Sequence, residues 1–456
     1  MRPRAQRPLA PRWWESCSGI TRPYLKAHGA TLRDVAARLE EIRALGFDAV
    51  EVFAPCAGGT CYHGLDTIDF YQVDPAIGTM GDFLALVDAA HARGMALVIF
   101  INLGYAHEHF PAFLKACDDV RAGVDSPERR WFLWSDSGTD TMDRSLAPHF
   151  MNDSHGNWRW SERAQKYFWV KWEGERGGFH LPQFNFADPG WQDAARRILE
   201  FWLRTGIDGV VIDAVNWYVG CDWQITRRSM TDAVNAAGDL LLQPEGAGGF
   251  RDDPAPWITA GGFNCVQDYA LQIWWERKDL IRDAIRSGDP RPIEAALRGY
   301  RDRVVAAGGI CYLNPLERAE LSPQERLLGA ATVATVGELF AEFGDLGDPQ
   351  GAYRRGVARL LEARRRCPAL CAAGRRIPIP TSDDRRFYAF VREPAGPGAR
   401  ALVILNFQPE RHTITVDLRG QAAASLADIW SGATHPAGER FSLELPGYGY
   451  GVYTLS

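Results

Sequence analysis

Gly206-Ile-Asp-Gly-Val-Val-Ile-Asp-Ala-Val-Asn-Trp217 decides how the rest of this 456-residue chain is understood. Its middle, Val210-Val211-Ile212, is a β-branched apolar run, with Gly206 and Gly209 before it. That texture predicts a buried strand of a parallel sheet rather than a half-exposed one. An Asp at the end of such a strand is costly to bury unless something uses it. Asp213 stands there, and Ala214-Val215-Asn216-Trp217 begins the loop above the sheet. In an α/β barrel, side chains at strand carboxyl ends are where chemistry collects. An Asp after a strand equally serves to cap the next helix. Taken alone, the stretch supports both roles.

Outward from it the same rhythm recurs. Leu32 to Leu45 has apolar residues at helical spacing, Gly46 stops it, and Asp48-Ala-Val-Glu-Val-Phe53 follows as a strand. Met80 to Arg93 is again helical, and Gly94 introduces Met95-Ala-Leu-Val-Ile-Phe-Ile101. Helix, glycine, buried strand is the pattern of repeated βα units. From about Asn102 to Phe186 the pattern breaks into a segment rich in Trp, Asp, Ser and Gly, with no long helical period. So long a break in a βα array predicts an excursion over the active face. Trp191 to Thr205 restores a helix before the opening stretch. Asp239-Leu-Leu-Leu-Gln-Pro-Glu245 is another buried strand with a carboxylate at its end, and 261–268 and 308–314 repeat the pattern. Glu325 to Ala334 and Ala352 to Arg366 are helical. From about Pro378 the texture becomes alternating short strands, such as Phe387–Val391, Ala401–Asn406 and His412–Asp417, which predicts a separate antiparallel β domain.

Composition bounds the function. A length of 456 residues predicts two or three domains, and 46% apolar with 24% charged residues describes a globular protein with a large core. A net charge of -6 without a basic block argues against nucleic-acid binding. The 16 Trp and 14 Tyr suit sugar rings as well as core packing. Nine cysteines, odd in number and without paired metal-ligand spacing, fit reduced thiols of a cytoplasmic protein. The amino terminus carries charge but no apolar run, and no segment reaches the length of a membrane span. The expectation is a cytoplasmic protein with no cofactor, no required metal and no membrane partner.

Tyr62-His63-Gly64 followed by Asp66, Asp69, Phe70-Tyr71 and Phe83 through Gly94, then His109-Phe110, Trp131-Phe-Leu-Trp134, Pro182-Gln-Phe-Asn185, Trp191 to Val215, and Pro368-Ala-Leu370 resemble glycoside hydrolase family 13, the α-amylase family, in order along the chain. The resemblance implies a (β/α)8 TIM barrel with an inserted loop-rich domain and a C-terminal antiparallel β domain. In this sequence the expected boundaries are 1–103 and 187–376 for the barrel, 104–186 for the insertion over the active face, and 377–456 for the β-sandwich. It also implies retaining chemistry on α-glycosides, which needs two carboxyls about 5–5.5 Å apart. Asp213 matches the family's nucleophile and Glu245 its acid/base.

The departures from the family lie in the pocket. The family's Arg two residues before the nucleophile is Val211 here, and that Arg normally holds the nucleophile ionised. The motif Asp-x-Val-x-Asn-His appears as Ile101-Asn-Leu-Gly-Tyr105-Ala106, the third carboxylate falls on Leu316, and the family's stacking Tyr is Leu65. The family's calcium-binding loop is not visible in Trp13 to Thr31. Tyr62, His63, Tyr105, Asn216, Trp217, Asn314 and Glu317 are the candidates for a rebuilt substrate-binding lining, with Arg318 as a displaced cation. For each, packing or a solvated pair is the plain alternative. The expectation is a retaining glycosidase or transglycosylase acting on a small α-glycoside or an unusual glycoconjugate. The competing expectation is an inactive relative that binds carbohydrate or a partner through the altered pocket.

Overall fold

The structure, a computed structural model, describes residues 9–59, 64–140, 156–171, 179–246, 253–268, 270–273, 278–313, 320–343, 351–371, 374–394 and 396–456. Eight parallel strands form the barrel: β1 (Ile20–Arg22), β2 (Ala49–Phe53), β3 (Ala96–Ile101), β4 (Gly209–Ile212), β5 (Leu241–Pro244), β6 (Cys265–Gln267), β7 (Ile310–Leu313) and β8 (Leu339–Phe343). Their spatial order is β5-β4-β3-β2-β1-β8-β7-β6. The remaining seam, between β5 and β6, is bridged by Asn264. Its backbone N–H donates to Leu242 O at 3.2 Å. Its side-chain oxygen accepts from Leu242 N–H at 2.9 Å, and its amide donates to Leu240 O at 2.7 Å.

Alternation along these strands splits the apolar residues into two cores. Ala96, Val98, Phe100, Val211, Leu241 and Ile310 share a cluster inside the barrel. Leu97, Ile99, Val210, Ile212 and Leu242 belong to the larger cluster that the outer helices cover. Those helices include α1 (Leu32–Leu45), α2 (Met80–His91), α3 (Pro111–Ala122), α4 (Pro189–Leu203), α5 (Pro323–Val336) and α6 (Ala352–Arg366). Helix α1 starts on a reciprocal capping box between Thr31 and Asp34 and stops at Gly46, whose φ of 110° few other residues adopt.

Two parts of the barrel were not foreseen from the sequence. Strand β1 has only three residues, too few to show a period of their own, and in β8 the run Leu-Phe-Ala-Glu-Phe is interrupted by Glu342. Helix α3 lies in the segment expected to show no long helical period. Pro111 fits its first turn, and Phe113, Ala116 and Cys117 are buried at i, i+3 and i+4. The charges around that narrow stripe hide it in a search for long periods.

Between β3 and α4 the chain also builds a three-stranded antiparallel sheet from Trp134–Ser135, Gly156–Ser161 and Lys166–Lys171. After α6, antiparallel strands from Arg375–Ile379 to Tyr450–Leu455 form the C-terminal β domain. Among the described residues, no helix is long and apolar enough to cross a membrane.

Candidate active site

Strand parity aims both expected acids at the barrel interior. On β4, Val211 faces inward, so Asp213 two residues later faces the same way. On β5, Leu241 faces inward, and Gln243 and Glu245 follow by the same count. The register pairs Gln243 with Val211 and Pro244 with Ile212, which brings Glu245 level with Asp213. Neighbouring strands run about 4.8 Å apart, the scale on which two carboxyls can flank one bond. Asp213 N–H continues the ladder to Ile101 O at 2.9 Å, and Glu245 N–H donates to Ile212 O at 2.8 Å.

The turn after Asp213 ties the two acids together. Ala214 is left-handed, at φ 46° and ψ 38°. This is an uncommon and costly conformation for a residue with a Cβ, of the kind that gathers at functional sites. In it, Ala214 N–H donates to Glu245 Oε2 at 3.1 Å. Tyr218 Oη donates to the Asp213 carbonyl at 2.7 Å and accepts from Leu103 N–H at 3.1 Å, which locks the turn to the end of β3.

Around Asp213 the groups are few and strong. Tyr105 Oη donates to Asp213 Oδ2 at 3.0 Å. Asn102 holds Tyr105 in place: its amide donates to Tyr105 O at 2.6 Å, and its oxygen accepts from Gly104 N–H at 2.7 Å. Asp213 is only 7% exposed, and burial, followed by the nearby Glu245 carboxylate, pushes its carboxyl up to about 8. The Tyr105 hydroxyl and the charges of Lys171 and Arg22 pull the other way.

Sequence reasoning had missed both of those cations. Arg22 ends β1 facing inward, level with Glu51 on β2, and the two form a buried ion pair at 2.6 Å. Tyr312 Oη joins it, accepting from Arg22 at 3.3 Å and donating to Glu51 at 3.4 Å. The Arg22 guanidinium also lies 4.8 Å over the Phe100 ring. Phe100 is the register partner of Val211, so an aromatic ring and an arginine from another strand fill the space around it. A glutamate inside the apolar run Ala-Val-Glu-Val-Phe was the signal for this pair.

Lys171 comes from the inserted sheet and is 3% exposed. Its ammonium sits 4.7 Å from the centre of the Trp217 ring. Burial drives its pKa well below that of a free lysine, a fall that Asp213 and then Glu245 offset only in part. A lysine ending a strand is ordinarily solvated, so nothing in the sequence singled it out.

A small ladder delivers these groups. Tyr105 bridges Gln183 and Val170 bridges Pro182. Phe184 N–H donates to Gly104 O at 2.9 Å, and Lys171 N–H donates to Leu181 O at 2.8 Å. Gln183 then spans to the loop after β4: its amide donates to Trp217 O at 2.6 Å, and its oxygen accepts from Trp169 Nε1 at 3.1 Å.

Of the sequence-derived candidates, Tyr105, Asn216 and Trp217 gather with Asp213 and Glu245. Asn216 packs its side chain against Gly246, where any Cβ would collide with it at 2.2 Å. Tyr62, His63, Asn314, Glu317 and Arg318 lie outside the described residues.

Comparison with known proteins agrees with this architecture. The family model of the α-amylase catalytic domain matches residues 20–243. Over 188 residues the chain is 32% identical to the trehalose synthase/amylase of Mycobacterium tuberculosis, covering 40% of this chain and 29% of that protein. A trehalose synthase from Pimelobacter is 32% identical over 187 residues, covering 40% of this chain and 30% of that one. The trehalose-6-phosphate hydrolase of Escherichia coli is 26% identical over 218 residues, covering 45% and 36% respectively. The matched stretch thus spans well under half of each of these relatives. In fold, the chain superposes on an α-amylase from H. orenii with a TM-score of 0.73, covering 96% of this chain and 99% of that one at 17% identity. The inward-facing acids at the ends of β4 and β5 thus stand on a chain that belongs to the α-amylase family, glycoside hydrolase family 13.

Proposed function

We propose that the protein is a retaining glycosidase or transglycosylase on a small α-glycoside, with Asp213 as nucleophile and Glu245 as acid/base. The observation that carries this reading is the pairing of two inward carboxyls at the same level of adjacent strands, one of them driven up to about 8 by burial and by the other. Retention needs one acid ionised and its neighbour protonated, at a separation of about 5–5.5 Å. The raised value falls on Asp213, the assigned nucleophile, so the pair reacts in the form whose single proton sits on Glu245. Asp213 attacks the anomeric carbon while Glu245 protonates the departing oxygen. Glu245 then takes a proton from the acceptor, water or a second sugar, as the glycosyl–Asp213 ester is cleaved.

The names of the relatives support a small carbohydrate as substrate, and α-linked disaccharides such as trehalose are the first to try. The strong burial of Tyr105, Asn216 and Trp217 beside the acids fits a short ligand better than a long chain. The eight described cysteines are buried free thiols, which fits the reducing cytoplasm as its location.

The test is a panel of α-disaccharides, aryl α-glycosides and α-glucosyl fluoride, run with Asp213→Asn and Glu245→Gln. Fluoride leaves without protonation. Glu245→Gln is therefore expected to keep the first step on the fluoride while losing turnover of the disaccharides, and Asp213→Asn to lose both. Unchanged turnover in Asp213→Asn overturns the assignment, and binding without turnover across the panel supports a non-catalytic carbohydrate binder instead.

A further inference from the structure

We propose that Lys171 is the cation that favours the ionised, attacking form of Asp213, in place of the arginine that Val211 has displaced, so that docking of the inserted strand onto the barrel completes the catalytic set. This rests on the reading of Asp213 as nucleophile.

Two cations act on Asp213, and geometry separates them. The charge of Arg22 is already committed: its guanidinium lies 2.6 Å from the Glu51 carboxylate, and both side chains are buried. A neutralised pair projects little field onto a third group. Lys171 is different. Both acids act on its charge, Asp213 first and Glu245 second. Its stem enters through the buried end of the strand Lys166–Lys171, and the face of Trp217 supports its ammonium at 4.7 Å. Trp217 follows Asp213 by four residues and is held by Gln183, so the loop that carries the nucleophile also seats the cation.

Charge balance points the same way. With Lys171 protonated, Asp213 ionised and Glu245 protonated, the three groups sum to zero, the least costly state to bury that still leaves a nucleophile. Without the ammonium, two adjacent carboxyls, Asp213 buried and Glu245 partly so, would retain the proton on whichever is harder to ionise. Among the described residues, the groups facing Asp213 are Tyr105, Glu245, Lys171 and Arg22, with Tyr218 on its carbonyl. Of these, Lys171 and Arg22 bring positive charge, and Lys171 comes from outside the barrel.

The delivery route makes this a device and not an accident of packing. Lys171 N–H is bonded to Leu181, the segment 182–184 pairs with 104–106, and Tyr105 on that last segment donates to Asp213. One ladder therefore positions both the hydroxyl and the ammonium. If the inserted sheet were displaced, both would leave together.

The test uses the full chain with α-glucosyl fluoride, a probe whose cleavage needs the nucleophile but no leaving-group protonation. Lys171→Met removes the charge and keeps the stem, and Lys171→Arg restores a charge. An opposite charge beside a carboxyl is worth about 1–3 pKa units. The acid limb of kcat/KM in Lys171→Met is therefore expected to move up by about that much, with a roughly 10- to 1000-fold loss of kcat/KM near neutrality. Lys171→Arg should recover a large part of both. As a readout independent of turnover, the infrared band of protonated Asp213, identified by its absence in Asp213→Asn, should titrate at higher pH in Lys171→Met. This second measurement needs only folded protein. If Lys171→Met leaves the acid limb, the rate and the infrared titration unmoved while Asp213→Asn is inactive, the proposal for Lys171 fails and the nucleophile stands. If Asp213→Asn is also fully active, the underlying reading fails with it.

Discussion

The Asp213–Glu245–Lys171 group at the barrel mouth and the Glu338 group behind the barrel both bury charge, and they balance it differently. Glu338 lies just before β8 and is fully buried. Its Oε1 accepts from Arg301 at 2.6 and 3.0 Å and from Arg392 at 3.0 Å. Its Oε2 accepts from Cys311 N–H at 3.1 Å. Arg392 comes from the C-terminal sheet and also donates to the carbonyls of Thr335 and Val336, both at 3.0 Å, at the end of α5. Nearby, Arg364 donates to the carbonyls of Ser18, Ala334 and Leu370 at 2.6, 2.5 and 2.6 Å. There, each oxygen of the carboxylate has a donor and two domains are tied together. At the mouth, two carboxyls face each other and the nucleophile's ionisation is opposed by burial. The first arrangement is what a fold needs, the second what a reaction needs. Charge satisfied on every side gives nothing to a substrate.

The largest effect that would sharpen this contrast is at Glu338. Glu338→Gln leaves Arg392 buried without its counter-charge and Arg301 with Asp302 alone, and breaking such a buried pair costs about 3–5 kcal/mol. Urea unfolding measures it. A loss below about 1 kcal/mol would mean the junction is no better balanced than the mouth.

At the mouth the sign reverses. Because the folded state raises Asp213 to about 8, ionising it opposes folding. Its contribution is intact below the unfolded carboxylate value, about 3.9, and is lost as pH climbs from there to about 8. Asp213→Asn should therefore be more thermostable than the natural chain near neutrality. The gap should open between about pH 4 and pH 8 and stay level above that. A gap that is flat across this range contradicts the account of Asp213.

A smaller effect is expected from Tyr105→Phe, which deletes one donor to Asp213 and leaves the ring in place. The loss should be about 1 kcal/mol in transition-state stabilisation, a several-fold fall in kcat/KM. It should come with an upward shift of the acid limb smaller than that of Lys171→Met. The smallest effect is at Ala214. A left-handed non-glycine residue carries about 1–2 kcal/mol of strain, and glycine's extra freedom in the unfolded chain costs about 0.5–1 kcal/mol. Ala214→Gly should thus gain between about 0 and 1.5 kcal/mol, read from the urea midpoint, without removing the N–H that holds Glu245.

Much of this was legible in the sequence, for physical reasons that are specific. Val210-Val211-Ile212 and Leu240-Leu241-Leu242 are runs long enough to announce buried strands, and parity then aims Asp213 and Glu245 inward. The ends of α1 are written in Thr31, Asp34 and Gly46. Strand β1 was not legible because it has only three residues, and β8 because Glu342 breaks its apolar run. Helix α3 was hidden by the narrowness of its buried stripe. Within the site, Tyr105 could be nominated as a lining residue, but its hydrogen bond to Asp213 depends on the bend that Asn102 enforces. Lys171 was beyond reach: its partners are 42 and 74 residues away in sequence, and only the ladder through Leu181 and Gln183 brings them together.

The central claim is that Asp213 forms a covalent bond to the sugar. The most direct measurement is to incubate the full chain with a fluorinated α-glucosyl fluoride, whose added ring fluorine slows release of the glycosyl-enzyme, and to locate the label by peptide mass. The account predicts one sugar per chain, on the peptide that contains Asp213, and none in Asp213→Asn. Turnover of the panel with the label on another residue, or with no trapped intermediate, would contradict it.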